Sequence, residues 1–134
     1  MKPANPAPFY ACLYPALCDI AREHGYALAI HGTVATDLDL IAVPWTNEAI
    51  EAETLMLAIK DKLGAFNYRE MLQHECGSWA KESEIDDMVT AEYARLAEPR
   101  GTHDCALKPH GRKAWNLYLQ LGCKVDLSIM PRIP

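Results

Sequence analysis

Apolar positions in this chain change their period along the sequence. Leu13, Ala16, Leu17, Ile20 and Ala21 recur at three-to-four spacing, which predicts a helix over Leu13 to His24, stopped by Gly25, with Pro15 tolerated in its first turn. Tyr26 to His31 and Leu38 to Val43 are short apolar runs that read as strands, divided by Gly32-Thr33 and closed by Pro44. Asn47 to Leu63 returns to helical spacing. Its stripe is Ala52, Leu55, Met56, Ile59 and Leu63, with Thr46 as N-cap, Glu48 and Glu51 at the positive end and Gly64 as stop.

The middle of the chain is less regular. Ser83-Glu84-Ile85-Asp86 has the form of a helix start, and Ile85, Met88, Val89 and Leu96 predict one buried face as far as Ala97. Met71 to Trp79 fits helix or irregular structure equally. Beyond Pro99 and Gly101 the period becomes two. Trp115, Leu117 and Leu119 share one side of a strand, with Asn116 and Tyr118 on the other. A turn at Gln120-Leu121-Gly122 leads into a partner strand, Cys123 to Met130, where Val125, Leu127 and Ile129 share a face. A single α+β domain is expected, with a mixed sheet of four or five strands and helices mainly on one face.

Composition narrows the function classes. A net charge of −5 argues against an extensive nucleic-acid surface made by coating phosphates with Lys and Arg. No run approaches the roughly 20 apolar residues of a bilayer span, so no membrane partner is expected. Met1 to Pro8 holds three prolines and no apolar signal core, and reads as an extended lead-in arm. The five scattered cysteines suit a reduced compartment, so a cytoplasmic location is expected.

The candidate chemistry lies in the strands. Asp37 and Asp39 are two apart, so they project together, away from Leu38, Leu40 and Ala42. Asp126 lies opposite the Val125/Leu127/Ile129 face of its own strand. If these strands are neighbours, three carboxylates converge, and their repulsion is relieved by a cation. Hard oxygen donors with room for water suit Mg²⁺ or Mn²⁺. Lys108, His110, Arg112 and Lys113 form a basic cluster before the last hairpin, with Arg132 after it, able to hold a triphosphate or remain a solvated loop. His74, Cys76, His103 and Cys105 are soft ligands whose spacing matches no common zinc module. Trp45, after Pro44, is a candidate for stacking on a base, whereas Trp115 reads as core.

A strand ending in His31-Gly32-Thr33, a strand opening with Asp37-Leu38-Asp39 and a later strand carrying Asp126 together resemble the nucleotidyltransferase superfamily that includes DNA polymerase beta. More narrowly, His31-Gly32-Thr33 through Trp45-Thr46, Lys108-Pro109-His110-Gly111-Arg112 and Val125 to Arg132 look like small uncharacterised phage and prophage proteins. The resemblance spans residues 10–64 and 106–132, leaving 65–104 as an expected helical insertion.

The resemblance implies a palm-type sheet in which Asp37 and Asp39 bind metal, and Asp126 completes the site or deprotonates an acceptor hydroxyl. Gly32 and Thr33 would contact phosphate, and Lys108 and Arg112 would neutralise its charge. The implied activity is transfer of a nucleoside monophosphate from an NTP to an unknown acceptor. One departure is visible: only Thr33-Val34-Ala35-Thr36 separate Gly32 from Asp37, whereas active members place a short phosphate-cradling helix there. The alternative expectation is a catalytically inactive binding module that engages a host or phage protein, through 65–104.

Overall fold

A computed structural model of the protein describes residues 5–97 and 99–132. Its elements in order are α1 (Ala7–Glu23), β1 (Tyr26–Ile30), β2 (Leu38–Pro44), α2 (Ala52–Leu63), α3 (Tyr68–Cys76), α4 (Glu82–Leu96), β3 (Ala106–Leu107), β4 (Lys113–Tyr118) and β5 (Lys124–Ile129). The strands form one sheet in the order β1-β2-β5-β4-β3. β2 and β5 are parallel, and the other neighbours are antiparallel. This is an α+β protein with an open mixed sheet.

Strand alternation sorts the residues onto two faces. Leu38, Leu40 and Ala42 of β2, Val125, Leu127 and Ile129 of β5, and Trp115 and Leu117 of β4 are buried in one continuous core. Tyr10, Leu17 and Ala21 of α1 and Leu55, Met56 and Ile59 of α2 complete it. Each large side chain fully buried there contributes about 1.5–3 kcal/mol relative to an exposed one. The core therefore dictates the registers that place the polar residues on the opposite face. The free edge of β1 is blunted by α1, where the Tyr14 hydroxyl donates to the Leu28 carbonyl at 2.7 Å.

Several boundaries differ from the sequence expectation. Residues 1–4 of the lead-in arm lie outside the described residues. From Ala7 onward the chain is already helical, with Pro6 as N-cap, so Pro15 sits mid-helix. Pro15 and Ala11, the residue whose carbonyl loses its helical donor, are both exposed, where water can serve that carbonyl. Helix α2 starts at Ala52 rather than Asn47. The Ile50 N–H bonds to the His24 carbonyl, and Ala49 packs onto Gly25, so tertiary contacts hold residues 46–50 out of the helix. A Cβ on Gly25 would lie 2.6 Å from the Ala49 Cα.

The 65–104 segment is helical, and Met71 to Trp79 resolves into α3 and a short 3-10 turn. A capping box starts α3: Asn67 accepts from the Glu70 N–H at 2.8 Å, and Glu70 accepts from the Asn67 N–H at 3.0 Å. On α4, Ile85 and Val89 are buried, but Met88 and Leu96 are exposed, so the apolar face is narrower than expected. The segment reaches over the second face of the sheet at β4. Phe66 and Tyr118 exchange backbone hydrogen bonds, and the Tyr68 and Tyr118 rings lie 6.1 Å apart. Arg69 bridges Asp86 and Asp104, Arg100 also binds Asp104, and the Tyr93 hydroxyl donates to the Asp104 carbonyl.

Candidate acidic site on the second sheet face

The core registers bring the predicted carboxylates together. β2 and β5 run side by side with Asp39 directly opposite Asp126, at the roughly 4.8 Å spacing of neighbouring strands. One pleat earlier, Asp37 meets Lys124, whose Nζ lies 3.6 Å from its carboxylate. The backbone on either side is pinned from beneath by a buried tyrosine. The Tyr10 hydroxyl donates to the Thr36 carbonyl at 2.8 Å and accepts from the Lys124 N–H at 3.2 Å. It thus fixes the residue before Asp37 and the residue two before Asp126.

Asp39 and Asp126 are the unusual pair. Both are half-buried, and among the described residues neither carboxylate has a hydrogen-bond or ion-pair partner. Like charges directly opposite on neighbouring strands destabilise a sheet by about 0.2–1 kcal/mol. The strain shows in Asp126, whose carboxyl is pushed above the ordinary carboxylate value by burial first and by Asp39 next. Lys124, Lys108 and His31 pull it partly back.

The flanking groups fall into two sets. Gly32 ends β1 with φ +73, and a Cβ there would lie 3.4 Å from the Asp39 Oδ2, so the glycine turn borders the carboxylates. Thr33 follows it, exposed. Lys108 acts electrostatically on Asp126, and the Arg112 guanidinium donates to the Ser128 Oγ at 2.7 Å, one pleat along from Asp126. Two other predicted cations are directed elsewhere. Lys113 alternates to the core side and pairs with Glu53, and Arg132 pairs with Glu51 beyond the far end of β5.

Trp45 is not at the site. It is 75% exposed at the opposite end of β2, six residues and about 20 Å of strand from Asp39. The buried Trp115 is core, as expected, and its indole N–H bonds to the His103 carbonyl at 3.0 Å. Among the described residues no group of three or more His, Cys, Asp and Glu is gathered closely enough to hold a metal ion. For the His/Cys set, Cys105 is wholly buried and His74 lies against the Phe66 ring, 5.2 Å between centroids. For the carboxylates, Asp39 and Asp126 face each other while Asp37 is engaged by Lys124. The donor chemistry fits a hard divalent cation between Asp39 and Asp126, with Asp37 joining only if it exchanges Lys124 for the ion.

Four residues of this surface were not singled out from the sequence as site residues: Lys124, His31, Asn116 and Tyr10. Lys124 shares the face of Asp126 by simple alternation, and Asn116 stands opposite Asp126 on β4, so period two would have found both. Tyr10 carried no such signal. Comparison with family models, curated proteins and solved structures finds no match to this chain.

Proposed function

We propose that this protein is a divalent-metal-dependent nucleotidyltransferase-like protein that moves a nucleoside monophosphate from an NTP to an acceptor hydroxyl. The observation that carries the reading is the Asp39/Asp126 pair, without a partner among the described residues, beside a glycine turn and two cations. Asp39 and Asp126, joined by Asp37, would hold Mg²⁺ or Mn²⁺, which when bound supplies charge neutralisation at the phosphoryl oxygens. Lys108 and Arg112 contribute positive charge for the phosphates, and the Gly32-Thr33 turn offers backbone N–H groups without a blocking side chain. Asp126 completes the metal site or takes the acceptor proton as that oxygen bonds to the α-phosphorus and pyrophosphate departs.

A second reading has its own support. The connection 31–37 contains no helix, so it offers the carboxylates no helix N-terminus of its own. A binding module that kept the fold and lost transfer would look like this, with a protein partner met through 65–104, where Trp79 is 92% exposed.

Calorimetric titration with each of the four NTPs in Mg²⁺ or Mn²⁺ separates the two. Nucleotide binding that requires the metal and is lost in Asp37→Ala/Asp39→Ala supports the transferase reading. A folded wild-type protein indifferent to both contradicts it and leaves the binding module.

A further inference from the structure

Lys124 brings a positive charge into the acidic face itself. It lies two residues before Asp126 on β5, so strand alternation puts both on the second face of the sheet. Toward β2 its ammonium lies 3.6 Å from the Asp37 carboxylate, and toward β4 it stands opposite Tyr118. The backbone at both ends of the ion pair is held by one hydroxyl, since Tyr10 binds the Thr36 carbonyl and the Lys124 N–H. The strands thus fix where the pair is rooted, and the four-carbon stem of the lysine supplies the freedom to move.

The pair is loosely made. A separation of 3.6 Å exceeds ordinary hydrogen-bond length, and the two side chains are 30% and 27% exposed, so water screens their attraction. A divalent ion between Asp39 and Asp126 would carry twice the charge of the ammonium and find in Asp37 another hard oxygen donor. The ammonium and the ion repel each other, so they compete for Asp37. Displaced from it, Lys124 remains on the face to which Lys108 and Arg112 also bring positive charge. Phosphate oxygens are strong acceptors for an ammonium so placed.

We propose that Lys124 is an exchangeable counter-ion: it holds Asp37 in the metal-free protein, yields that carboxylate to a divalent cation, and then binds the triphosphate. The exchange at Asp37 needs only the cation site, whereas the step to the triphosphate rests on the transferase reading. Because one lysine serves both, metal and triphosphate bind cooperatively through it. Lys124→Met keeps the length of the stem and removes the charge. Titrated with Mn²⁺ alone and followed by electron paramagnetic resonance, the variant should bind about threefold more tightly than wild type, the size a part-exposed ion pair allows. In an Asp37→Asn background the same substitution should bring no gain, because the contested carboxylate is gone. Equal tightening in both backgrounds marks a general field effect and overturns the exchange, as does Mn²⁺ binding unchanged or weakened in Lys124→Met. Calorimetry with ATP at saturating Mg²⁺ reads the second step, and Lys124→Met should lose about tenfold in ATP affinity. ATP binding that the variant retains in full overturns the step to the triphosphate and leaves the transferase reading standing. The expected gain in Mn²⁺ affinity with no ATP bound by wild type supports the exchange and removes the transferase. No Mn²⁺ binding by either protein removes both.

Discussion

The second face of the sheet is divided into two halves that treat charge in opposite ways. Over β4 and β3, helices α3 and α4 cover the strands, and a network of ion pairs ties the covering segment together. Arg69 serves Asp86 and Asp104, Arg100 serves Asp104, and the Tyr93 hydroxyl meets the Asp104 carbonyl. Over β2 and β5, two half-buried carboxylates oppose each other without a partner among the described residues. The same fold ties charges together in one half and leaves in the other two opposed carboxylates, offset only in part at Asp126 by Lys124, Lys108 and His31.

Five substitutions sharpen that contrast. Trp115 underlies the covered half from the core side and holds the His103 carbonyl, so Trp115→Ala should cost about 3–5 kcal/mol in urea unfolding. Asp104→Ala removes two arginine partners and should cost about 1–3 kcal/mol. Its signature is faster amide exchange in α3 and α4 with metal binding at the carboxylates unchanged. Tyr10→Phe breaks the pin beneath both acidic strands at a cost of about 1 kcal/mol, and it should weaken metal binding although the residue touches no ligand.

Asp126→Asn runs the other way and should stabilise the metal-free protein by about 0.2–1 kcal/mol. Its pH dependence follows from the raised folded pKa. Below the ordinary value of 3.8 the carboxyl is protonated in folded and unfolded chains alike, and the two proteins match. As pH rises from there to the raised folded value, the unfolded chain loses its proton first, and wild type falls behind the variant. Above that window the gap is complete, which thermal melts across acid pH will show. The smallest effect is expected for Trp45→Ala: a stability change within about 0.5 kcal/mol and unaltered nucleotide binding, because Trp45 stands at the wrong end of β2.

What the sequence disclosed followed the range of the forces involved. Strand alternation is local, so the faces of β2, β4 and β5 could be read directly, and with them the shared side of Asp37, Asp39 and Asp126. The start of α2 is not legible because Thr46 and Glu48 have the form of a helix N-terminus, and only the distant Gly25 and His24 hold residues 46–50 away from the helix. Trp45 is close to the carboxylates in sequence, but a strand is long and separates its ends. The docking of 65–104 onto β4 runs through Phe66 and Tyr68 against Tyr118 and through the Trp115 indole on the His103 carbonyl, contacts that no periodicity announces. The role of Tyr10 is equally non-local, since its partners are Thr36 and Lys124.

The central claim is that the opposed Asp39 and Asp126 are a cation site. Titration of Mn²⁺ into the purified protein, followed by electron paramagnetic resonance, tests it without any assumption about nucleotide or acceptor. Saturable binding of one ion that disappears in Asp39→Asn and in Asp126→Asn, each folded and at least as stable as wild type, is the predicted result. A wild-type protein that binds no Mn²⁺, or binding that both variants retain, would contradict the account.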